Sequence, residues 1–176
     1  YAQERLSTYT VQELVLSDQS FDPLHVSIIS VAGKGGVLPA FPGFPDTVFE
    51  TGAEPGKGMI SKREVRLTIL SFLQPANGDV IWDIGAGCGG VSVELAYWNE
   101  HVTVHAVEYH QQRLQYLAAN QRRFGVVSNL HIVNGRAPQV LAELPTPNKV
   151  FVGGSDGELN NLLPQVWEQL PAAGVL

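Results

Sequence analysis

The stretch DIGAGCGG, residues 83–90, places four glycines among eight residues and decides the fold of this chain. An apolar run, VIW at 80–82, precedes it, and a second, VSVELA at 91–96, comes after it. Glycine allows a tight turn and, because it lacks a β-carbon, lets a ligand approach the backbone closely. The stretch therefore predicts a strand, a ligand-binding turn and a helix, in that order.

Strand and helix patterns alternate along the rest of the chain. This alternation predicts a parallel sheet with helices on both faces. The helix at 61–73 has Ser61 as its predicted N-cap, with Glu64 completing a capping box and Val65, Ile69, Phe72 and Leu73 forming its apolar face. A fifth strand begins at the end of the chain. Strands are predicted over 80–84, 101–108, 130–133 and 149–152, and helices over 61–73, 90–98, 111–124, 138–144 and 158–170.

The first 58 residues have a different character. A short helix is predicted over 8–14, capped by Thr8 or Thr10 with Glu13 close behind, and a β-branched, alternating strand over 24–31. Residues 32–58 are rich in glycine and proline and predict a linker or an extended surface segment. A helix and a strand cannot bury a core alone, so they are either the tail of another domain or pack on the later part of the chain.

Composition excludes several classes of protein. The net charge of −6 gives no general basic surface for nucleic acid, and no apolar run approaches the ~18 residues that span a bilayer. A single cysteine, Cys88, excludes a disulfide framework and a multi-cysteine zinc site, and it fits a reducing compartment, for which we predict the cytoplasm. The five histidines lack metal-ligand spacing, so no metal is predicted.

The residues around the glycines indicate the ligand. Gly85, Gly87 and Gly89 form G-x-G-x-G rather than the G-x-G-x-x-G of dinucleotide sites, and no lysine comes after them as in a P-loop. Asp83 would repel a pyrophosphate but suits a ligand with an ammonium and a sulfonium group. Glu108, at the end of the second strand, is placed to accept hydrogen bonds from ribose hydroxyls. This spacing is typical of class I methyltransferases and predicts S-adenosylmethionine as cofactor, with a dinucleotide as the weaker alternative.

The glycine stretch and three others resemble the precorrin-6Y methyltransferase family of cobalamin biosynthesis, in its decarboxylating carbon-15 domain. They are GMISKREVR at 58–66, WDIGAGCG at 82–89, RFGV at 123–126 and FVGGS at 151–155. Residues 4–31 resemble the end of the carbon-5 methyltransferase domain that many members carry upstream.

The resemblance implies a division of the chain into three parts. These are the tail of an upstream carbon-5 domain at 1–31, a linker at 32–57, and a Rossmann-like class I methyltransferase domain at 58–176. The family sheet has seven strands, so we expect this sheet to be incomplete at its C-terminus. Whether the chain as given is active is left open.

The resemblance also implies the reaction. A precorrin-6-type tetrapyrrole is methylated at carbon 15, with decarboxylation of the ring C acetate, and the fused domain methylates carbon 5. No metal, nucleic acid or membrane takes part, and the family often forms homotetramers. A methyltransferase for RNA or protein, and a non-catalytic cofactor-binding domain, remain alternatives. The metal-free or cobalt-containing state of the substrate is left open.

The expected site is distributed over the strand ends. No catalytic residue is assigned. Lys62, Arg63, Arg66 and Arg136 are candidates for binding substrate carboxylates, against a role as solvated surface charge. Arg136 stands where the family usually has Asp, which puts the adenine contact in question because a guanidinium has no acceptor. Gly153, Gly154 and Ser155 are expected to contact substrate, and the cofactor is expected to contact Ser61, Asp83, Gly85, Ala86, Gly87, Cys88, Gly89, Glu108, Tyr109 and Ala137.

Overall fold

The chain forms two compact units, Tyr1–Val37 and Leu38–Leu176. The structure, a computed structural model, describes residues 6–28 and 41–176. In the first unit, helix α1 spans Val11–Val15. Thr10 caps it, since its hydroxyl accepts from the Glu13 amide at 3.2 Å while the Glu13 carboxylate accepts from the Thr10 amide at 2.7 Å. The predicted helix and its Thr10 cap are confirmed.

The strand predicted over 24–31 is wrong for residues 24–28. Leu24 lies in a bend, residues 25–28 have no regular secondary structure, and Leu24, Val26 and Ile28 are exposed. A strand is stabilised by the hydrogen bonds of a partner strand, which an alternating sequence cannot supply by itself. Residues 29–31 lie outside the described residues.

The second unit is built on a parallel sheet. In the part of the chain that the structure describes, four strands lie in the order β3-β2-β1-β4, all parallel. The predicted strands are confirmed, with one or two residues' difference at some ends. In chain order the elements are α2 Arg63–Leu73, β1 Val80–Ile84, α3 Gly90–Trp98, β2 Thr103–Glu108, α4 Gln111–Arg123, β3 Leu130–Asn134, β4 Lys149–Val152 and α5 Leu159–Gln169, with 3-10 turns at Asp46–Val48 and Leu141–Glu143.

The strand register brings the carboxyl ends of the strands to one edge. Ile84 pairs with Val107 and with Val152, so the glycine turn after β1 lies between the ends of β2 and β4. Val175 forms a parallel bridge with Lys149 on the far side of β4. The fifth strand therefore begins where the sequence predicted it.

Two apolar clusters cover the two faces of the sheet. Ile81 faces one cluster, which includes residues of α2, α3 and α4, and Trp82 faces the other, which includes Leu162 and Val166 of α5. Helix α3 is buried from Gly90 to Ala96, in agreement with a sequence that is apolar apart from Ser92 and Glu94. Helices on both faces are thus confirmed. Pro164 lies inside α5, which continues through it, while the helix predicted at 138–144 is reduced to the second 3-10 turn.

Helix α2 differs from its prediction in both its cap and its buried face. It begins at Arg63 with Lys62 as N-cap and no side-chain capping bond, so the predicted Ser61 cap is wrong. Val65 is 51% and Phe72 76% exposed, whereas Arg66 is fully buried. Ile69 and Leu73 pack in the core as predicted, and Arg66, on the same face one turn earlier, pairs there with the buried Glu94 of α3 at 3.1 Å.

The described part of the predicted linker, residues 41–57, contributes to the core. Phe44 and Phe49 are 0% and 4% exposed. The Phe44 ring lies 4.9 Å from that of Tyr97 and 5.1 Å from that of Trp98. Glycine and proline break the periodicity here without preventing the aromatic side chains between them from packing. The linker interpretation is wrong for these residues, and residues 32–40 lie outside the described part.

Candidate functional site

A cavity of about 430 Å³ lies at the carboxyl edge of the sheet. This is the position at which open parallel sheets bind ligands, and the volume suits a small-molecule site. The glycine turn, the ends of β2 and β4, the residues before α2 and the turn after β3 all contribute to its wall. Among the predicted site residues, the lining includes Ser61, Asp83, Gly85, Ala86, Gly87, Cys88, Glu108, Tyr109, Ala137, Gly153, Gly154 and Ser155.

The glycine turn presents backbone to this cavity. Gly85 and Gly87 have φ values of +75° and +61°, a conformation that side chains disfavour. A β-carbon at Gly85 would lie 2.5–2.8 Å from backbone atoms of Gly154. At Gly87 and Gly154 it would meet nothing within 4 Å among the described residues. The turn therefore packs tightly on the β4 loop at Gly85 and is open at Gly87.

Gly89 has a structural role of its own in the glycine turn. It lies outside the cavity lining and is the N-cap of α3, with φ of +85°. An added β-carbon would come 2.3 Å from Cδ1 of Leu117 on α4. Close packing of α4 is therefore one reason for the third glycine, and its predicted contact with the cofactor stays a prediction.

Asp83 places a buried carboxylate at the base of the cavity. It is the fourth residue of β1 and is 1% exposed. Burial raises its pKa to about 6, against the lowering effect of hydrogen bonds from Ser92, whose hydroxyl donates to Oδ2. The nearby Glu108 charge adds to the rise in this pKa. A cationic group in the cavity would favour the ionised form of Asp83.

Glu108 connects the end of β2 to the glycine turn. Its Oε2 accepts from the Gly87 amide at 3.0 Å, and its Oε1 accepts from the amides of Tyr109 and His110 at 2.9 and 2.8 Å. Nη1 of Arg113 lies 3.8 Å from Oε2. A carboxylate oxygen can accept two hydrogen bonds, so Oε2 keeps capacity for a ligand hydroxyl.

Three polar side chains form one rim of the cavity. The Arg136 guanidinium lies 5.1 Å from the centre of the Tyr109 ring, and its Nη2 is 3.9 Å from Oδ2 of Asp156. Interaction with Asp156 is the first cause of a raised pKa at Tyr109. Sequence reasoning missed Asp156, because a single acidic residue in a loop carries no spacing signal. Arg136, the departure from the family pattern, thus has an acidic partner of its own.

Most of the other predicted residues fall into two walls. Met59, Ile60 and Ser61 form the wall before α2, and the Ser61 carbonyl accepts from Nη1 of Arg66 at 2.6 Å. In the wall after β4, the amides of Gly153 and Gly154 donate to the Ile84 carbonyl at 2.8 and 3.2 Å. The structure therefore brings most of the residues expected to contact the cofactor and those expected to contact the substrate around one cavity.

Of the four candidate cations, Arg66 is excluded from substrate contact. It is fully buried and forms ion pairs with Glu94 and with Asp46. Lys62 and Arg63 are exposed, and Arg136 lies on the rim.

The thiol of Cys88 lines the cavity, and its pKa is raised, chiefly by burial. That shift disfavours the reactive thiolate, in agreement with a small loop residue.

Two kinds of feature are absent from the described residues. Across 6–28 and 41–176 no group of three or more potential metal ligands occurs. In the same ranges no helix is long and apolar enough to cross a membrane.

The sheet order and the glycine turn, together with the likeness to solved methyltransferases, define the class as that of the Rossmann-like methyltransferases. Within that class, the profile of the family described as "Precorrin methyltransferase domain" matches residues 54–176, and the chain belongs to this family. The resemblance drawn from the sequence motifs is confirmed.

Similar proteins agree with this assignment. The chain is 34% identical over 177 residues to a Sinorhizobium "Precorrin-6Y C(5,15)-methyltransferase [decarboxylating]", covering 99% of this chain and 41% of that protein. It is 40% identical over 133 residues to a Pyrobaculum calidifontis "Probable cobalt-precorrin-6B C(15)-methyltransferase (decarboxylating)", covering 74% and 66%. The crystal structure of a precorrin-6Y C5,15-methyltransferase from Geobacter metallireducens has a TM-score of 0.71 at 36% identity, covering 76% and 68%. The chain thus spans less than two thirds of the length of these two curated relatives.

Proposed function

We propose that this chain contains a domain for S-adenosylmethionine-dependent carbon methylation of a precorrin-6-type tetrapyrrole at carbon 15, with decarboxylation of the ring C acetate. Family membership over residues 54–176 and the names of the two relatives support the substrate class and the reaction. The observation that carries the cofactor is the cavity itself, where open glycine backbone faces two buried carboxylates.

The residues around the cavity fit S-adenosylmethionine. Its ammonium and sulfonium groups suit a site that contains Asp83 and Glu108, both almost fully buried. Gly87 leaves space in which the methionine part can approach the backbone, and Glu108 retains capacity for a ribose hydroxyl. When bound, the cofactor supplies an activated methyl group. We propose as its contacts Ser61, Asp83, Gly85, Ala86, Gly87, Cys88, Glu108, Tyr109 and Ala137.

The chain's own contribution to the reaction is alignment. Gly153, Gly154 and Ser155 come directly after β4 and line the same cavity as the glycine turn. We infer that they contact the tetrapyrrole, which holds carbon 15 in line with the methyl group and keeps water away. Lys62, Arg63 and Arg136 are the cations available for its carboxylates.

We also propose the wider organisation of the protein. The match to the Sinorhizobium protein covers nearly the whole chain, which supports residues 1–31 as the tail of an upstream carbon-5 methyltransferase domain. The carbon-15 domain would then include the described residues from 41 onward, because Phe44 and Phe49 lie in its core.

A cytoplasmic location is proposed from the cysteine content, and a homotetramer from the resemblance. Light scattering of the purified protein measures the oligomer.

The decisive experiment measures the mass of the product. The full-length protein is incubated with a reduced precorrin-6-type substrate and S-adenosylmethionine, and we expect the gain of a methyl group with the loss of carbon dioxide. Calorimetry with S-adenosylhomocysteine tests the cofactor separately. Binding without any product would overturn the proposed reaction and favour the non-catalytic alternative. The observation behind that alternative is Arg136, which stands where the family usually has Asp at the expected adenine contact. Absence of binding would overturn the cofactor assignment.

A further inference from the structure

Buried polar side chains attach residues 43–50 to the helices of the second unit. Glu94 of α3 is fully buried, and its carboxylate accepts from the amides of Gly43 and Phe44 at 2.9 and 2.8 Å. The same carboxylate accepts from Nε1 of Trp98 and pairs with Arg66. Since buried hydrogen bonds to a charged group are stronger than neutral ones, the start of this segment is held firmly.

Asn120 of α4 holds the other end of the segment. It is fully buried, and its Oδ1 accepts from the Glu50 amide while its Nδ2 donates to the Glu50 carbonyl, both at 2.8 Å. Its remaining N–H donates to the Cys88 carbonyl in the glycine turn at 2.9 Å. One side-chain amide therefore connects residue 50 directly to the wall of the cavity.

Arg66 makes the equivalent connection at the first end. Its guanidinium donates to the Phe44 carbonyl, to Asp46 at 2.7 Å and to the Ser61 carbonyl at 2.6 Å. Ser61, like Cys88, lines the cavity. A planar guanidinium can bind several acceptors at fixed angles, which a lysine cannot do.

Helix α4 contacts two consecutive residues of the glycine turn. Leu117 packs where a β-carbon of Gly89 would be, and Asn120, three residues later and so on the same face of the helix, bonds to the Cys88 carbonyl. A displacement of Asn120 would therefore be transmitted to the turn that carries Gly87.

We propose that Asn120 and Arg66 are positioning residues for the cofactor cavity: through them, residues 43–50 hold the glycine turn and the wall at 59–61 in the arrangement that admits the ligand. This inference rests on the proposed function for the identity of that ligand. It also extends the cofactor-binding unit to a segment that lies before the family match at 54–176.

The test compares two asparagine variants in the full chain. Asn120→Asp keeps the size and the acceptor for the Glu50 amide but removes both N–H donors. Asn129→Asp is the matched control, because Asn129 is also buried and its Nδ2 also donates to two carbonyls, those of Ala96 and Asn99. Neither of those carbonyls belongs to the residues that line the cavity.

We expect both variants to lower the free energy of unfolding in urea, since each leaves buried carbonyls without donors. Only Asn120→Asp should raise the hydrogen-exchange rates of the Gly87 and Gly89 amides and weaken S-adenosylhomocysteine binding, each by about tenfold or more. If Asn120→Asp does not fold, Asn120→Ser is measured in the same way. Equal exchange rates and equal affinities in the two variants would overturn the proposal.

The second half of the proposal has its own test. Arg66→Lys keeps the charge beside Glu94 but not the fork of donors, and we expect faster exchange of the Ile60 and Ser61 amides. Arg122→Lys, at the exposed end of α4, is its control. Unchanged exchange in Arg66→Lys would overturn the role of Arg66. Amide exchange needs no ligand. If the wild-type protein fails to bind S-adenosylhomocysteine, the proposed function is contradicted, but the exchange rates of the variants still test this inference.

Discussion

Two buried carboxylates, Asp83 and Glu108, line the cavity, and Glu108 is the one whose hydrogen bonds a ligand would share. We expect Glu108→Gln to weaken S-adenosylhomocysteine binding by roughly 10- to 100-fold, because hydrogen bonds to a charged acceptor contribute about 1.5–3 kcal/mol. Titration calorimetry measures the change. Glu143→Gln, at an exposed carboxylate in the second 3-10 turn, is the control for the loss of a charge. Equal affinities in the two variants would contradict the ribose-binding role that we propose for Glu108.

Asp83 makes the stability of the protein depend on pH. Its pKa is about 6 in the folded state, above its ordinary value of 3.8, so the folded state binds more protons than the unfolded state between these values. The free energy of unfolding should therefore fall as pH rises from about 4 to about 6, by about 3 kcal/mol from this group. Urea unfolding of the wild type and of Asp83→Asn across this range isolates the effect. A difference between the two proteins that does not change with pH would contradict it.

At the scale of residues, the sequence predicts those site residues whose role follows from their spacing along the chain. It does not predict those whose role depends on contacts with residues distant in sequence. Asp83 and Glu108 are recognisable because each lies at the end of a strand, at a fixed spacing from the glycines. Asn120 and Arg66 look like ordinary polar residues of helices, since their partners lie 32 to 70 and 5 to 28 residues away in sequence. Their burial is a property of the fold alone.

At the scale of elements, the turn between β1 and α3 depends on the backbone of Gly85. We expect Gly85→Ala to destabilise the protein more than Gly78→Ala and to abolish S-adenosylhomocysteine binding. Both glycines have positive φ, so each substitution costs about 1–2 kcal/mol for the backbone conformation. Only at Gly85 would the added carbon collide with Gly154, while at Gly78 it meets nothing within 4 Å in the described part of the chain.

Urea unfolding and calorimetry on both variants measure these effects. Gly78→Ala should retain the wild-type affinity, because Gly78 lies in the turn before β1, outside the cavity lining. Similar destabilisation by the two substitutions would show that the approach of the glycine turn to the β4 loop is not a tight contact.

The elements themselves divide into those with a local signal and those without. β1, α3 and β4 have the predicted bounds, because buried strands and helices next to glycine and proline turns have clear ends in sequence. The strand at 24–28 failed because pairing is a non-local requirement. The N-cap of α2 failed because the Ser61 carbonyl is bound by Arg66, and the chain enters the helix one residue later than its capping pattern suggests.

At the scale of the whole molecule, the alternating pattern predicts a parallel sheet, but it does not predict the order of the strands. The observed order, β3-β2-β1-β4, reverses at β1, and this reversal opens the crevice in which the cavity lies. The attachment of residues 41–50 to the same unit was also invisible in the sequence, because it depends on aromatic packing and on three buried polar side chains from three helices, Arg66, Glu94 and Asn120.

A ligand that binds this crevice should stabilise the whole second unit, because several strands, turns and helices of that unit contribute residues to the cavity wall. S-adenosylhomocysteine at 100 times its dissociation constant should raise the free energy of unfolding by about 2.7 kcal/mol, if it binds the folded state alone. The same concentration of NADH should have no effect, because its pyrophosphate would meet the carboxylate of Asp83, for which a nearby negative charge is unfavourable. Thermal unfolding monitored by circular dichroism, with each ligand at several concentrations, measures both responses. Stabilisation by NADH in the absence of any response to S-adenosylhomocysteine would show that the glycine turn binds a dinucleotide, and the methyltransferase assignment of the cavity would be wrong.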